Sequence, residues 1–199
     1  MSKVSRAVAV LIACAAAACA STHITSTWRD PAIGPVQFRK VVGIALSRNT
    51  TLRRIAEDEF VRAVGPGTAI AGYAVVDDSE LRDKALVKQH VEAAHADGVV
   101  VFRLVGVEEQ QRWVPPTTYG NTWGYWGYAA PLVYDPGYLV TDQIVQIETN
   151  AWDVGTARLV WSARSETFNP KDTNALVTGV VDATVDALRK EKLLPQPSP

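Results

Sequence analysis

The stretch DQIVQIETNAWDVGTARLVWSARSETF, residues 142–168, decides the fold. Val145, Ile147, Thr149 and Ala151 fall on one face of an extended chain, and Gln146, Glu148 and Asn150 fall on the other. This period of two is the pattern of a strand with one solvated face. DVGTAR turns the chain back, LVWSARSETF supplies the partner strand, and Asn169 with Pro170 ends the sheet. Beyond the hairpin, Asp172 or Thr173 caps a last helix whose buried stripe is Leu176, Val177, Val180, Val181, Val185 and Leu188. PQPSP, residues 195–199, reads as a disordered tail.

Upstream the period changes. KVVGIAL, residues 40–46, is an apolar run of buried-strand type. Asn49 or Thr50 caps a helix in which Leu52, Ile55, Ala56, Phe60, Ala63 and Val64 recur at helical spacing, and Gly65-Pro66-Gly67 stops it. AIAGYAVV reads as a second strand, and Asp78 or Ser79 as the cap of a helix running to about Ala94. Asp97 and Gly98 then turn the chain into VVVFRLVGV, a third strand suited to a covered, central place. Residues 21–35 are polar and turn-rich, a tether that admits an edge strand over residues 23–28. The expected architecture is a two-layer α/β sandwich. It comprises a mixed sheet of about five strands with three helices mainly on one face, in a single domain over residues 37–194.

At the amino end, Lys3 and Arg6 precede an uncharged stretch, residues 7–18, which fits the basic and apolar regions of a secretory signal. It is shorter than the roughly 20 residues a membrane-spanning helix needs. With Ala16, Ala17 and Ala18 before Cys19, residues 1–18 resemble a bacterial lipoprotein signal peptide. That resemblance implies a diacylglyceryl thioether and an acylated amine on Cys19, with residues 19–36 as lipidated terminus and tether. LIAC, ending at Cys14, matches the lipobox more closely but leaves a very short apolar stretch, so segment length favours Cys19. Cleavage after an ordinary Ala-x-Ala site is the plain alternative.

If Cys14 leaves with the signal and Cys19 is acylated, neither cysteine is free for a disulfide, and no metal or other cofactor is expected. Without Lys3 and Arg6 the 20 bases fall to 18 against 21 acids, a net charge of −3. A mildly acidic chain without a basic run argues against nucleic acid as partner and against electrostatic docking on anionic lipid.

No catalytic signature stands out. His90 and His95 are five apart, about 140° around a helix, whereas paired zinc ligands favour a spacing of four. Gly-x-Ser-x-Gly, Walker and dinucleotide fingerprints are missing from the sequence. Glu57, Asp58 and Glu59 read as the solvated face of the first helix, with Arg53 and Arg54 ion-paired to Glu57 or Asp58.

The unusual segment is YGNTWGYWGYAAPLVYDPGY, residues 119–138, with seven aromatic side chains and one formal charge, Asp135. It sits in a connection over residues 114–138, longer than a hairpin requires, and connections above about 12–15 residues are usually functional or disordered. Trp113, Trp123, Tyr125, Trp126, Tyr128 and Tyr134 are the candidate binding residues. Four readings stand: a flap folded back on the domain, a protein partner in the envelope, a glycan such as peptidoglycan stacked on the rings, and the bilayer surface. The expectation is a non-enzymatic binding or accessory module. The competing class is an enzyme on an envelope polysaccharide or peptidoglycan, with Asp135 and Glu108 or Glu109 as its carboxylates.

CASTHITSTWRDP, FRKVVGIALSRN, ADGVVVFRLVGVE and NAWDVGTARLVWSARSETF together resemble the uncharacterised bacterial envelope lipoproteins grouped under a domain of unknown function. The resemblance spans nearly the whole mature chain and implies a membrane-anchored envelope protein of unassigned activity. Ala20 stands where an aspartate is the usual inner-membrane retention signal, so the resemblance implies the periplasmic face of the outer membrane.

Overall fold

The computed structural model describes residues 22–119 and 133–196. Its main sheet has six strands in the order β1-β8-β7-β4-β2-β3, and a separate two-stranded sheet pairs β5 with β6. The strands are β1 (Thr22–Arg29), β2 (Val41–Leu46), β3 (Ala69–Ala71), β4 (Gly98–Val114), β5 (Thr117–Tyr119), β6 (Val133–Asp135), β7 (Tyr138–Asp153) and β8 (Arg158–Phe168). The helices are α1 (Thr50–Val64), α2 (Lys84–Ala93) and α3 (Thr173–Lys190). β2 pairs in parallel with β3 and β4, and every other pairing of the main sheet is antiparallel. The mixed α/β sandwich is thus the one expected, its additional strand being β1 on the edge.

The hairpin β7–β8 follows its alternation. Thr149 and Ala151 are buried on the face that carries Trp161 and Ala163, while Gln146, Glu148 and Asn150 face the other side. The larger core joins Val41, Ala45, Val100, Phe102 and Trp161 of the sheet to Phe60 of α1 and Val177, Val181 and Leu188 of α3. α2 lies on the opposite face, where Val91 packs with Val42 and Ile44. The glycine of KVVGIAL has a packing reason: a Cβ at Gly43 would stand 2.3 Å from the Phe60 ring. That ring in turn meets Phe102 edge-on, with centroids 5.6 Å apart.

Caps set the helix starts. The Asn49 side chain accepts from Leu52 N at 3.1 Å, and that of Asp172 accepts from Ala175 N at 2.8 Å. The second helix starts later than expected, at Asp83, whose carboxylate accepts from Ala85 N and Leu86 N. The expected caps are engaged elsewhere: Ser79 donates its N–H and hydroxyl to Asp77 Oδ1 at 2.9 and 2.7 Å, and Asp78 pairs with Arg53. The strand expected over AIAGYAVV is also short. After Ala71 the chain turns into a 3-10 segment, Gly72–Ala74, because Glu57 takes the N–H of Tyr73 at 2.6 Å.

Candidate functional site

β4 and β7 are far longer than the body of the sheet requires. Their ladder runs from Gly98↔Asp153 to Val114↔Tyr138, whereas β8 leaves β7 at Ile144↔Phe168. Six residue pairs, Glu109↔Gln143 to Val114↔Tyr138, therefore form a ribbon with no third strand among the described residues, about 20 Å long at the usual rise. Residues 107–113 are all exposed, as are Tyr138, Leu139, Thr141 and Gln143. An isolated two-stranded ribbon is marginally stable in water. Side chains brace this one at its base. Asn169, held with a left-handed backbone at φ 44, exchanges hydrogen bonds with Gln143 and donates to Asp142 Oδ1 at 2.8 Å. Arg112 donates to Asp142 Oδ2 at 3.1 Å. These hydrogen bonds, Asn169 first and Arg112 second, hold the Asp142 carboxyl below its ordinary range.

The far end of the ribbon is apolar. Trp113 and Leu139 are direct cross-strand partners with 57% and 61% of their surfaces exposed, and Tyr138 stands opposite Val114 with 52% exposed. Trp113 also braces the turn, because its ring fills the space a Cβ would need at Gly137, 2.5 Å away. Beyond it, β5 and β6 resume pairing at Thr117↔Asp135, Thr118↔Tyr134 and Tyr119↔Val133. The connection expected after Val114 thus opens as further hairpin. Of the candidate binding residues, Trp113 is placed on the arm and Tyr134 on β6. Trp123, Tyr125, Trp126, Tyr128 and the lipidation candidate Cys19 lie outside the described residues.

A cleft of ≈ 340 Å³ opens beneath the arm, between the sheet and helices α1 and α3. Leu52, Phe102, Leu104, Val107, Val145 and Leu176 are among its walls. Pairing fixes its place: Thr22, the first residue of β1, is opposite Thr167, which is opposite Val145, which is opposite Val107. The chain therefore enters β1 at the same end of the sheet from which the arm departs.

One polar constellation escaped the sequence reading. Glu57, expected on a solvated face, is fully buried, as is Arg53 at 1% exposure. Arg53 Nε donates to Glu57 Oε1 at 2.8 Å, and the same carboxylate accepts from Ala45 N at 3.0 Å and Tyr73 N at 2.6 Å. The other end of the guanidinium donates to Val76 O at 3.1 Å and pairs with Asp78. The i,i+4 spacing announced the ion pair, but only the backbone donors brought by β2 and Gly72–Ala74 make its burial tolerable. Nearby, Tyr73 donates to Asp58 Oδ1 at 2.6 Å, which raises its phenol pKa, and Arg54 lies 5.3 Å from the same ring.

His90 Nε2 lies 3.1 Å from Glu80, and His95 takes a left-handed turn at φ 55 after α2. Among the described residues no three His, Cys, Asp or Glu side chains gather as a metal site, and no helix is long and apolar enough to cross a membrane. Glu108 and Glu109 are adjacent on β4 and so point to opposite faces, with Glu108 accepting from Gln146 at 3.1 Å.

No family model and no curated protein matches the chain. Among solved structures it is similar to the PelC dodecamer from Paraburkholderia phytofirmans, with 13% identity over 88% of this chain and 99% of that one, at a TM-score of 0.46. It is also similar to lipoprotein GNA1162 from Neisseria meningitidis, with 12% identity over 78% of this chain and 99% of the other, at a TM-score of 0.38. Neither likeness assigns an activity to this chain.

Proposed function

We propose that this chain is a lipid-anchored accessory protein of the bacterial envelope that captures a protein partner through the β4–β7 arm, without catalysing a reaction. The observation that carries the reading is the arm itself: a ribbon solvated on both faces whose end presents Trp113, Tyr138 and Leu139 to solvent. Tyr and Trp dominate the residues that hold protein interfaces together, and the sequence between the arm's strands adds Trp123, Tyr125, Trp126, Tyr128 and Tyr134. Cys19 is three residues from Thr22, so an acyl anchor there would leave the domain at the end that bears the arm. The arm would then work close to the membrane, at the periplasmic face of the outer membrane as the Ala20 position implies. The competing reading is an enzyme on an envelope polysaccharide, with Asp135 and Glu108 or Glu109 as its carboxylates, and of these Glu108 is already engaged by Gln146.

The test is co-purification of the full-length lipoprotein from native membranes after mild crosslinking. It is compared with a variant in which residues 115–137 are replaced by an Asn-Gly turn joining the last ladder pair. The expected result is an envelope protein captured by the parent and lost from the variant, with membrane attachment unchanged. Capture of peptidoglycan fragments in place of a protein would move the reading to the glycan. Identical partners for both forms would contradict the arm's role.

A further inference from the structure

We infer that the cleft beneath the arm holds one acyl chain of the lipid carried on Cys19, an inference that rests on the lipoprotein reading. The lining selects hydrocarbon. Leu52, Phe102, Val145 and Leu176 form its walls, and Leu104 and Val107 stand at its mouth with about half of their surfaces exposed. The buried side-chain polar atoms that lack a partner among the described residues belong to His90, Trp161 and Thr184, none of which lines the cleft. Ser47, Arg48, Arg103 and Gln143 also line the cleft, so the preference for hydrocarbon belongs to its apolar walls, which make up most of the lining. The cleft volume of ≈ 340 Å³ falls within the range of small-molecule sites.

Position names the occupant. Thr22 begins the cross-strand row that runs through Thr167 to the cleft residues Val145 and Val107. At about 4.8 Å per strand, Val145 is about 10 Å from Thr22, and three residues of chain place Cys19 within about 10 Å of it. Thr22 also touches the helix that walls the cleft: its Oγ1 would be 2.5 Å from a Cβ at Gly179, between the lining residues Leu176 and Val180. An acyl chain on Cys19 would therefore start within about 20 Å of Val145. One chain seated in the cleft, with the others in the bilayer, would fix the orientation of the domain on the membrane and cover the apolar surface of Leu104 and Val107.

A fatty acid bearing a diazirine and an alkyne, fed to cells that express the full-length lipoprotein, tests this. After irradiation of intact membranes and digestion, mass spectrometry should find the acylated Cys19 peptide joined to peptides containing Leu104 and Val107 or Leu176 and Val180. Val107→Asp, at a half-exposed position, should abolish those joined peptides while Cys19 remains labelled. Cleft peptides that carry phospholipid or free fatty acid instead would overturn the assignment to the anchor. A labelled Cys19 with no label in the cleft would overturn the site. A Cys19 that carries no fatty acid would overturn the anchor, and this inference with it, while leaving the protein-binding arm to its own test.

Discussion

Glu57 gathers N–H donors from three parts of the chain, Ala45 on β2, Arg53 one helical turn back and Tyr73 after β3, and so fastens α1 to the parallel end of the sheet. Removing one member of a buried pair strands the other charge. Glu57→Ala should therefore destabilise by about 3–5 kcal/mol in urea titration. The double replacement Arg53→Met with Glu57→Leu should recover only the part of that loss due to the stranded charge, because the N–H groups of Ala45 and Tyr73 still lose their acceptor. The tryptophans divide in the same way. Trp161 is wholly buried, so Trp161→Ala should cost about 3–5 kcal/mol. Trp113, more than half exposed, should cost far less on replacement by Ser, about 0.2–1 kcal/mol for its contacts with Leu139 and Gly137. Trp161 could be read as core from its place in an alternating strand. Glu57 could not, because charged residues are almost never fully buried unless paired, and beyond Arg53 its donors, Ala45 N and Tyr73 N, come from other elements.

At the scale of elements, burial patterns reveal strands that have an inside. Residues 142–168 alternate because one face is core, and their hairpin stands where the alternation put it. Glu108-Glu109-Gln110-Gln111-Arg112 offers no apolar face, so its pairing with β7 leaves no trace in hydrophobic periodicity. The start of α2 was hidden for another reason, since Asp78 and Ser79 are cap types as suitable as Asp83, and only the folded chain commits Asp78 to Arg53 and Ser79 to Asp77. The arm's brace has a consequence for pH. Asn169 and Arg112 depress the folded-state pKa of Asp142 below its unfolded value, so its contribution is complete above about pH 4 and is lost as pH falls through the depressed value. Amide exchange of residues 109–114 should be insensitive to this group between pH 7 and 5 once intrinsic rates are divided out. Selective loosening of the arm should begin only below about pH 4. Asp142→Asn should remove that acid transition, and loosening of the arm between pH 5 and 7 would contradict the assigned brace.

At the scale of the molecule, the body closes a core between one sheet face and α1 with α3, while the arm and the start of β1 share one end. If Cys19 is acylated, no disulfide contributes. The melting temperature of the full-length lipoprotein should then be unchanged by reductant or by chelator, and a large drop with either would contradict a core-only origin of stability. The aromatic cluster marked the arm in the sequence, but its stem and the cleft below required the register of β4 against β7. The proposed function requires an arm that projects from a self-sufficient body and gains its order from a partner. Hydrogen exchange measured by mass spectrometry on the lipoprotein, first purified in detergent and then in native membrane vesicles, tests it most directly. In detergent, residues 109–114 and 138–142 should exchange far faster than residues 98–102 and 149–153, and in native vesicles they should become protected. Arm amides as protected as the body in detergent, or unchanged in the native membrane, would contradict it.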